Sequence, residues 1–420
     1  MKEEWRKYLD ARTARYTSYP SALHFDASVT GDDLAAKCEA IDLYAPISLY
    51  VHVPFCRQLC WYCGCAMRVE NYYSRVLDYV DAMISEIAMH ASALKGRGRP
   101  ASIHFGGGTP NYLRTEDVAR ILSAIEAQLG LTDSAHLAIE LDPRILRQED
   151  IGQFAALGFN RFSLGVQDFD PDVQSAINRL QGYDLVEACV SEIRAAGVDD
   201  LSFDILYGLP RQSLATFADT LDKVVALGPD RVSVFGYAHL PSAFPRQRMI
   251  EMRDLPDSAM RAEMAELSDM RLAEAGFRRV GFDHYAKPAN ALARAASSGR
   301  LKRNFQGFAD DPTHTILGIG ASAISFVDGL YAQNEKNVGA YGAAIRRGDS
   351  PVVRGLQRTR RENVVASAIG ELLCGMSADV GDVLKAAAPA EARRICAALD
   401  RFEADGVIAW QGDRIRVAED

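Results

Sequence analysis

The chain has 420 residues, 48% of them hydrophobic and 25% charged, and its formal net charge is −9 at pH 7. This length suits one large domain or two to three modules, and the composition is that of an ordinary soluble globular protein. The net negative charge disfavours a general nucleic-acid-binding protein, which would carry a basic excess. The longest near-apolar run, residues 316–327, is too short to span a bilayer.

Two features of the sequence indicate a cytoplasmic location. The N-terminal run Met-Lys-Glu-Glu-Trp-Arg-Lys lacks the apolar segment that a signal peptide needs. Four of the eight cysteines, Cys38, Cys189, Cys374 and Cys396, are scattered in helical patterns. We expect these four to be buried, reduced thiols, which a reducing compartment maintains.

Residues 1–46 are predicted to form an N-terminal arm. The run Arg15-Tyr-Thr-Ser-Tyr-Pro20 is rich in aromatic and hydroxyl side chains and precedes an extended stretch. Taken alone, these residues indicate a surface segment that carries an ordinary exposed arginine.

Residues 47–240 alternate between β-type and helix-type runs. The strands are predicted at residues 48–53, 102–105, 136–141, 161–166, 201–206 and 231–237. The helices between them are predicted at residues 73–94, 115–129, 148–157, 185–196 and 213–227. Such alternation indicates βαβ units and a parallel sheet, and six units are too few for a closed eight-stranded barrel. We therefore predict an α/β fold with an open, partial (β/α)6 barrel.

The loop after the first strand carries the other four cysteines. Cys56, Cys60 and Cys63 follow the spacing C-x3-C-x2-C, and Cys65 comes two residues later. Clustered thiolates select zinc or an iron–sulfur cluster, but a structural zinc site usually takes two separated pairs of ligands. A cubane held by three thiolates keeps one iron open, and Cys65 is too close to Cys63 to reach another corner without strain. A disulfide cluster or a zinc loop remains the alternative.

Every predicted strand ends in a glycine-rich or polar feature, at the end of the sheet where barrels gather their active sites. The second strand ends in Gly106-Gly-Gly-Thr-Pro110 and the third in Glu140-Leu-Asp-Pro-Arg144. A carboxylate leaving an apolar strand is costly to bury without a partner. Glu140 is therefore predicted either to form a salt bridge with Arg144 or Arg161 or to bind a ligand.

The last two predicted units follow the barrel. Residues 241–345 leave the βα rhythm and include Arg303-Asn-Phe-Gln-Gly307 and the small apolar run 318–325, which is predicted to be core. Residues 346–420 are predicted to form a smaller, mainly α domain of three helices and a hairpin at 407–417, which resembles a winged helix. We expect a structural lid rather than DNA binding, because its positive charges are not concentrated in one stretch.

The cysteine spacing at the end of a first strand resembles the signature of the radical S-adenosylmethionine (SAM) superfamily. Its extended form, Pro-Phe-Cys-x3-Cys-x2-Cys-Gly-Cys over residues 54–65, resembles that of oxygen-independent coproporphyrinogen III oxidases. Further similarity runs from residue 15 to about residue 334, and it implies that the N-terminal arm, residues 1–46, folds back over the active site. Members of that family usually continue beyond the predicted C-terminal hairpin.

The resemblance implies a 4Fe–4S cluster on Cys56, Cys60 and Cys63, and two bound SAM molecules. The implied contacts of the first SAM are Tyr50, Gly107, Glu140 and Ile324. The implied contacts of the second SAM are Tyr62, Gly108, Thr109, Gln167, Arg179, Asp204 and Ala238.

The implied reaction is the anaerobic oxidative decarboxylation of two propionates of coproporphyrinogen III to vinyl groups, which gives protoporphyrinogen IX in haem biosynthesis. The implied substrate contacts are Arg15, Arg303, Phe305 and Gln306, and Arg179 is a further candidate because a substrate with four carboxylates needs cationic partners. Electrons would come from a cytosolic donor of the flavodoxin or ferredoxin type. We expect a monomer that binds no nucleic acid and does not span a membrane.

A haem chaperone, which is a radical SAM relative that carries haem, is the alternative. Three features resemble the oxidase instead: Cys65, the arm that contains Arg15, and the motif that begins at Arg303. A zinc-loop regulator with a winged helix is a third possibility.

Overall fold

The structure is a computed structural model that describes residues 3–9, 11, 19–147, 149–305, 307–310 and 313–418. The helices are α1 (Gly31–Glu39), α2 (Tyr73–Leu94), α3 (Thr115–Leu129), α4 (Asp150–Ala156), α5 (Pro171–Ala176), α6 (Tyr183–Ala195), α7 (Leu214–Leu227), α8 (Ser258–Glu274), α9 (Ala291–Ser297), α10 (Val338–Arg346), α11 (Arg360–Gly375), α12 (Gly381–Ala386) and α13 (Pro389–Ala404). The strands are β1 (Pro46–Val53), β2 (Phe55–Cys56), β3 (Arg68–Val69), β4 (Arg99–Gly107), β5 (His136–Leu141), β6 (Arg161–Gln167), β7 (Asp200–Tyr207), β8 (Arg231–Gly236), β9 (Arg278–Val280), β10 (His284–Ala286), β11 (Lys302–Asn304), β12 (Gly307–Ala309), β13 (Ile316–Ile319), β14 (Ile324–Val327), β15 (Leu330–Asn334), β16 (Val352–Gln357), β17 (Ser377–Asp379), β18 (Ile408–Gln411) and β19 (Arg414–Val417).

Six parallel strands, β1 and β4 to β8, form the centre of the large sheet and are connected through helices. They coincide with the six predicted strands, and helices α2, α3, α4, α6 and α7 coincide with the predicted helices. The predicted α/β fold with an open (β/α)6 sheet is therefore confirmed.

The sheet is larger than predicted. Within the described residues it has twelve strands in the order β16–β15–β14–β13–β1–β4–β5–β6–β7–β8–β10–β9. Strand β13 pairs in parallel with β1, with Gly318 opposite Tyr50. The run 318–325, predicted as core, thus supplies part of β13 and β14, which a short glycine-rich apolar run does not reveal by its period.

Helix α7 illustrates how local sequence sets the ends of the barrel helices. The Ser213 side chain accepts from the N–H of Thr216, whose hydroxyl accepts from the N–H of Ser213 in return, and this capping box begins the helix. Gly228, with a φ of 65°, ends it in the left-handed region. Phe217 and Leu221, one turn apart, are buried on its core-facing side.

The parallel strands separate an apolar face from a polar interior. On β6, Phe162 and Leu164 are buried in the core that the strands share with the surrounding helices. The alternate residue Ser163 lines a cavity of about 250 Å³ inside the open barrel, together with Glu140 and Asp204. The interior of the barrel can therefore receive polar groups.

A buried carboxylate ties helix α2 to the turn between β13 and β14. Glu86 accepts hydrogen bonds from the N–H of Gly320, the amide of Asn334 and the hydroxyl of Tyr341, each at 2.6 Å. Burial raises the pKa of Glu86 to about 7, against the opposing effect of the three donors. In the same turn, the N–H of Ala321 donates to the Tyr79 hydroxyl at 2.8 Å.

The C-terminal part combines helices α11 to α13 with a small sheet of order β17–β19–β18. Its predicted helices and hairpin are present, but β17 was not predicted because its three residues carry no strand pattern. Residues of the N-terminal segment pack on it: Trp5 Nε1 donates to the carbonyl of Asp405 at 2.9 Å, and Lys7 Nζ lies 2.7 Å from the carboxylate of Asp405. The domain boundaries at residues 46, 240 and 345 remain predictions. Strand β16 lies beyond the last of these boundaries but pairs with β15 of the large sheet.

All eight cysteines are free. Cys38 and Cys189 are buried as predicted, whereas Cys374 and Cys396 are only half-buried, which corrects that expectation. The reason is that α11 and α13 contain no fully buried residue. In the part of the chain that the structure describes, no helix has the length and apolar character needed to cross a membrane.

Replacing Glu86 by alanine should lower the free energy of unfolding by about 3 kcal/mol, because three buried donors lose their acceptor. Urea-induced unfolding of the anaerobic protein, followed by circular dichroism, measures this. Asp78→Ala, at an exposed position of the same helix, is the control and should change stability by less than about 0.5 kcal/mol. Equal effects of the two substitutions would contradict a structural role for the Glu86 carboxylate.

Candidate active site

The cysteine loop begins where β1 ends, at the carboxyl edge of the six parallel strands. Its first residues form β2, which pairs in parallel with β3, and the N–H of Arg68 donates to the carbonyl of Pro54 at 2.7 Å. The His52 ring contacts the carbonyl of Ala66 through Nε2 at 3.0 Å. The loop therefore closes back on the strand from which it leaves.

The middle of the loop is held by the segment that follows α5. The N–H of Trp61 donates to the carbonyl of Ile177 at 3.0 Å. The Asn178 side chain donates to the carbonyl of Leu59 at 2.8 Å and accepts from the Gln58 side chain at 2.9 Å. Asn178 has a φ of 55°, in a region that asparagine tolerates better than most residues. These contacts fix the position of the cysteines.

The four thiols of the loop differ in exposure and in partners. Cys56 and Cys60 are buried, Cys63 is half-buried and Cys65 is exposed. The N–H of Cys65 donates to Cys63 Sγ at 3.4 Å, and hydrogen bonds from Cys65 lower the pKa of the Cys63 thiol. Cys56 Sγ lies 3.2 Å from the hydroxyl of Thr109, although burial raises the pKa of the Cys56 thiol to about 12. Cys65 thus supports Cys63 rather than joining the buried thiols.

Two arginines converge on the Cys60 thiol. Arg144 Nη2 and Arg179 Nη1 each lie 3.5 Å from Cys60 Sγ. Both also bind Asp142, Arg144 through two hydrogen bonds of 2.9 and 2.6 Å and Arg179 at 3.3 Å. Burial raises the pKa of Asp142, but the two guanidinium groups outweigh it and hold that pKa below its usual value. Sequence reasoning missed Asp142 and Arg144 here, although both lie in the motif that begins at Glu140.

The donor set fits a group that takes three thiolates. Among the described residues, no three His, Cys, Asp or Glu side chains already stand at metal-ligating distances. The fit therefore rests on donor chemistry: three cysteines in one fixed loop, two guanidinium groups at one sulfur, and O–H or N–H donors at the others. Soft thiolates in this arrangement select an iron–sulfur cluster or zinc.

Glu140, at the end of β5, lies beside the glycine turn. Its carboxylate is 2.9 Å from His104 Nε2 and accepts the N–H of Gly107 at 3.2 Å. Burial raises the pKa of Glu140, but these hydrogen bonds outweigh it, so the pKa lies below its usual value and the group is an anion at neutral pH. The Tyr50 ring stacks on His104 at 5.8 Å. Tyr50, Gly107 and Glu140, predicted as one set, are thus brought together.

The predicted salt bridge from Glu140 to Arg144 or Arg161 is wrong. Arg144 binds Asp142, and Arg161 binds Asp200 at 2.8 Å and a second aspartate in the same buried group. Both arginines are therefore already paired with aspartates. The Glu140 carboxylate is instead hydrogen-bonded to His104 and to the N–H of Gly107, and 41% of its side chain is exposed.

The glycine turn after β4 has no room for side chains. Gly107 has a φ of 113°, and a Cβ there would lie 2.5 Å from the His52 ring. A Cβ at Gly108 would lie 2.9 Å from the carbonyl oxygens of Val53 and Phe55. Both positions need glycine, because the His52 ring and the backbone of the cysteine loop occupy the space that a side chain would take.

Two members of the second predicted set, Gln167 and Arg179, meet at Gly165. Arg179 Nη2 donates to the carbonyl of Gly165 at 2.6 Å. A Cβ at Gly165 would lie 3.0 Å from both the Arg179 and the Gln167 side chains, so these two side chains converge above that glycine. Gln167 has a φ of 69°, a backbone conformation that is strained for this residue type and is frequent at functional sites.

The remaining members of that set are linked differently. A buried residue that sequence reasoning missed, Gln247, donates to the carbonyls of Tyr62 at 2.9 Å and Ala238 at 3.1 Å, and so joins the cysteine loop to the end of β8. Nothing in the local sequence distinguishes Gln247 from a surface residue. Asp204 lies deeper, where it accepts from Ser163 at 3.1 Å and burial raises its pKa.

The predicted substrate contacts are only partly placed. The Phe305 ring meets the edge of the Tyr50 ring at 6.4 Å. The Arg303 guanidinium lies over the rings of Phe282 at 4.8 Å and Phe308 at 4.5 Å, and not beside Tyr50. Two predicted contacts, Arg15 and Gln306, lie outside the described residues.

Ile324, the last member of the first set, is the first residue of β14. A Cβ at Gly318 would lie 2.9 Å from the backbone of Ile324, and Gly318 is paired with Tyr50 across β13 and β1. Ile324 thus stands two strands away from Tyr50, at the same region of the sheet.

Comparisons with known proteins place the site in a family context. A family model described as the radical SAM superfamily matches residues 50–224. Oxygen-independent coproporphyrinogen III oxidase from Bradyrhizobium diazoefficiens is 39% identical over 415 residues, which cover 98% of this chain and 92% of that protein. Oxygen-independent coproporphyrinogen III oxidase from Escherichia coli is 37% identical, with 88% of this chain and 81% of that protein covered.

A solved structure extends this similarity to the fold. The structure of coproporphyrinogen III oxidase (HemN) from Escherichia coli, described as a radical SAM enzyme, superposes with a TM-score of 0.90. The two chains are 34% identical, and the match covers 96% of this chain and 93% of that one.

Changing Cys56, Cys60 or Cys63 to serine should abolish cluster assembly, because each would remove one of three thiolates, whereas Cys65→Ser should leave the cluster in place. Iron and sulfide content and the visible absorbance of anaerobically reconstituted protein measure this. Cys396→Ser, on helix α13, is a matched control far along the chain. Loss of iron in the Cys65 variant as complete as in the others would refute the three-ligand assignment.

Proposed function

This chain belongs to the family of oxygen-independent coproporphyrinogen III oxidases within the radical SAM superfamily, and from that premise we propose that it oxidises coproporphyrinogen III anaerobically in haem biosynthesis. The observation that carries the proposal is the three-cysteine loop at the carboxyl edge of the parallel sheet, beside a glycine turn and an ionised glutamate. In this reaction each of two propionates loses a hydrogen atom, CO2 and one electron and becomes a vinyl group, so that protoporphyrinogen IX is formed.

Cys56, Cys60 and Cys63 would hold a 4Fe–4S cluster, with one iron left for SAM. Bound together, these groups supply one-electron reduction and a 5′-deoxyadenosyl radical. The chain's own contribution near the cluster is electrostatic. Arg144 and Arg179 place positive charge at Cys60 Sγ, and Asp142 keeps both arginines in place.

The first SAM would lie between Tyr50, the glycine turn and Ile324. His104 and the N–H of Gly107 orient the Glu140 carboxylate. Its oxygens would accept hydrogen bonds from the amino group of SAM. Glycine at position 107 lets the turn pack against the His52 ring and keeps its N–H directed at the Glu140 carboxylate.

A second SAM would bind beside Arg179. The residues that support it are Tyr62, Gly108, Thr109, Gln167, Arg179, Asp204 and Ala238. Gln247 is added as a positioning residue, because it joins the backbone of Tyr62 to that of Ala238. Electrons would come from a flavodoxin- or ferredoxin-type protein in the cytoplasm. The mechanism does not require a general acid–base pair from the protein, because hydrogen is removed as an atom.

Anaerobic protein supplied with coproporphyrinogen III, SAM and a reductant should form protoporphyrinogen IX, detected as protoporphyrin fluorescence after oxidation. Omission of SAM is the control and should leave the substrate unchanged. Tight stoichiometric haem binding without turnover would instead identify a haem chaperone, and protein that contains zinc in place of iron would contradict both.

Glu140→Gln should raise the KM for SAM about tenfold or more, because it removes one charge-assisted contact while preserving the size of the side chain. Initial rates of SAM cleavage by dithionite-reduced protein measure this. Glu126→Gln, at an exposed position of α3, is the matched control. An unchanged KM with an intact cluster would remove Glu140 from the proposed SAM site.

A further inference from the structure

A cavity of about 600 Å³ lies between helix α11 and the edge of the large sheet. Its volume is within the range of about 300–1,000 Å³ that is typical of ligand sites. Phe326 and Tyr331 line it from the sheet, and Ser367 and Cys374 line it from α11. The cavity is separate from the polar cavity inside the barrel and contains none of the predicted SAM contacts.

This cavity adjoins the proposed SAM site. Phe305 lines the cavity and meets the Tyr50 ring at 6.4 Å, so one ring forms a boundary of both. On β14, Phe326 lies two residues after Ile324, and alternate residues of a strand point to the same face. A ligand in the cavity would therefore lie next to a SAM bound at Tyr50.

The α11 side of the cavity includes a stripe of small side chains beside the larger Ile369 and Leu373. The cavity-lining positions Ala366, Ser367, Gly370 and Cys374 recur at the spacing of one helical face. Helix α11 contains no fully buried residue, although Cys374 at one end of this face packs against the core cluster that includes Phe308. Small residues on one side and aromatic rings on the other leave space for a broad, largely apolar molecule.

Arg358 contributes a positive charge to the wall of this cavity. Its guanidinium lies over the ring of Phe326 at 4.6 Å and the ring of Tyr331 at 5.7 Å. Within the described ranges, Arg358 Nε is buried without a hydrogen-bond partner, and no carboxylate pairs with the guanidinium. Leaving a buried charged donor without a partner is costly, and an anionic ligand would remove that cost.

Other cations of the cavity have protein partners. Arg414 forms a salt bridge of 2.9 Å with Glu371. Lys302 Nζ lies 3.0 Å from His314 Nε2. Arg303, which also lines the cavity, lies over Phe282 and Phe308, whereas Arg358 lies over the two rings of the sheet wall and can present its guanidinium to a carboxylate there.

We propose that this cavity holds the tetrapyrrole substrate and that Arg358 binds one of its carboxylates. The macrocycle would lie between the small face of α11 and the rings of Phe326 and Tyr331, with its reacting side toward Phe305 and Tyr50. A guanidinium presents two parallel donors that match a carboxylate, and its position over aromatic rings limits its rotation. This assignment rests on the proposed function and names the residue that recognises the substrate.

Binding of coproporphyrin III, the stable oxidised form of the substrate, tests the assignment by fluorescence titration under anaerobic conditions. Arg358→Met should raise the Kd about tenfold, because it removes a charge-assisted hydrogen-bond pair but keeps the apolar stem. Arg358→Lys should lie between the two, since a lysine cannot bind bidentately. Arg360→Met is the matched control: Arg360 is exposed, two residues away and not part of the cavity wall, so its Kd should equal that of the wild type.

Two further measurements separate the possible failures. SAM cleavage by dithionite in the absence of substrate should be equal in all four proteins, which shows that the variants fold and carry their cluster. On the wild-type protein, coproporphyrin III tetramethyl ester should bind about tenfold more weakly than the free acid, because the ester cannot form the ion pair.

The outcomes distinguish this inference from the function on which it rests. Equal affinity of Arg358→Met and wild type, or of ester and acid, in a protein that turns over coproporphyrinogen III would overturn the inference and leave the function intact. Arg358-dependent binding in a protein that forms no protoporphyrinogen would support the cavity assignment and reject the proposed function.

Discussion

The parallel pairing of six strands is the constraint on which the site depends. Because all six strands run in the same direction, their carboxyl ends lie along one edge of the sheet. The cysteine loop, the glycine turn, Glu140 and the segment around Gln167 follow four of these strands and therefore meet, although they are far apart in the chain. Reversing any one strand would move its ligands to the opposite edge.

A second constraint is the balance of charge at that edge. Glu140 and Asp142 bring two carboxylates to a partly buried region beside the cysteine loop, which would be unfavourable without compensation. Arg144 and Arg179 meet this need by binding Asp142 and Cys60 together. The placement explains why Arg179 is almost completely buried, a rare environment for an unpaired arginine but a reasonable one for a residue that holds two anions.

The sequence was most informative where a local pattern determines the structure. The six strands were predictable from their alternation with helices, and Glu140 from its position at the end of an apolar strand. Asp142 and Gln247 were missed because their role depends on partners that lie far away in the sequence. Strand β13 was missed because four apolar residues, one of them glycine, are too few to show a period. Arg358 could not be found, since what distinguishes it is the absence of a partner among the described residues, a property of three dimensions.

The buried carboxylate of Glu86 connects these levels. It holds the turn at Gly320, and that turn leads directly into β14. Ile324 and Phe326 stand on this one short strand, the first proposed as a SAM contact and the second lining the large cavity. A shift of the turn would therefore move both walls at once. Because a radical generated at SAM reacts only with an atom held close to it, a rigid strand shared by the two sites is a direct way to keep their separation constant. The rigidity is supplied from helix α2, through a carboxylate that lines neither the large cavity nor the cavity inside the barrel.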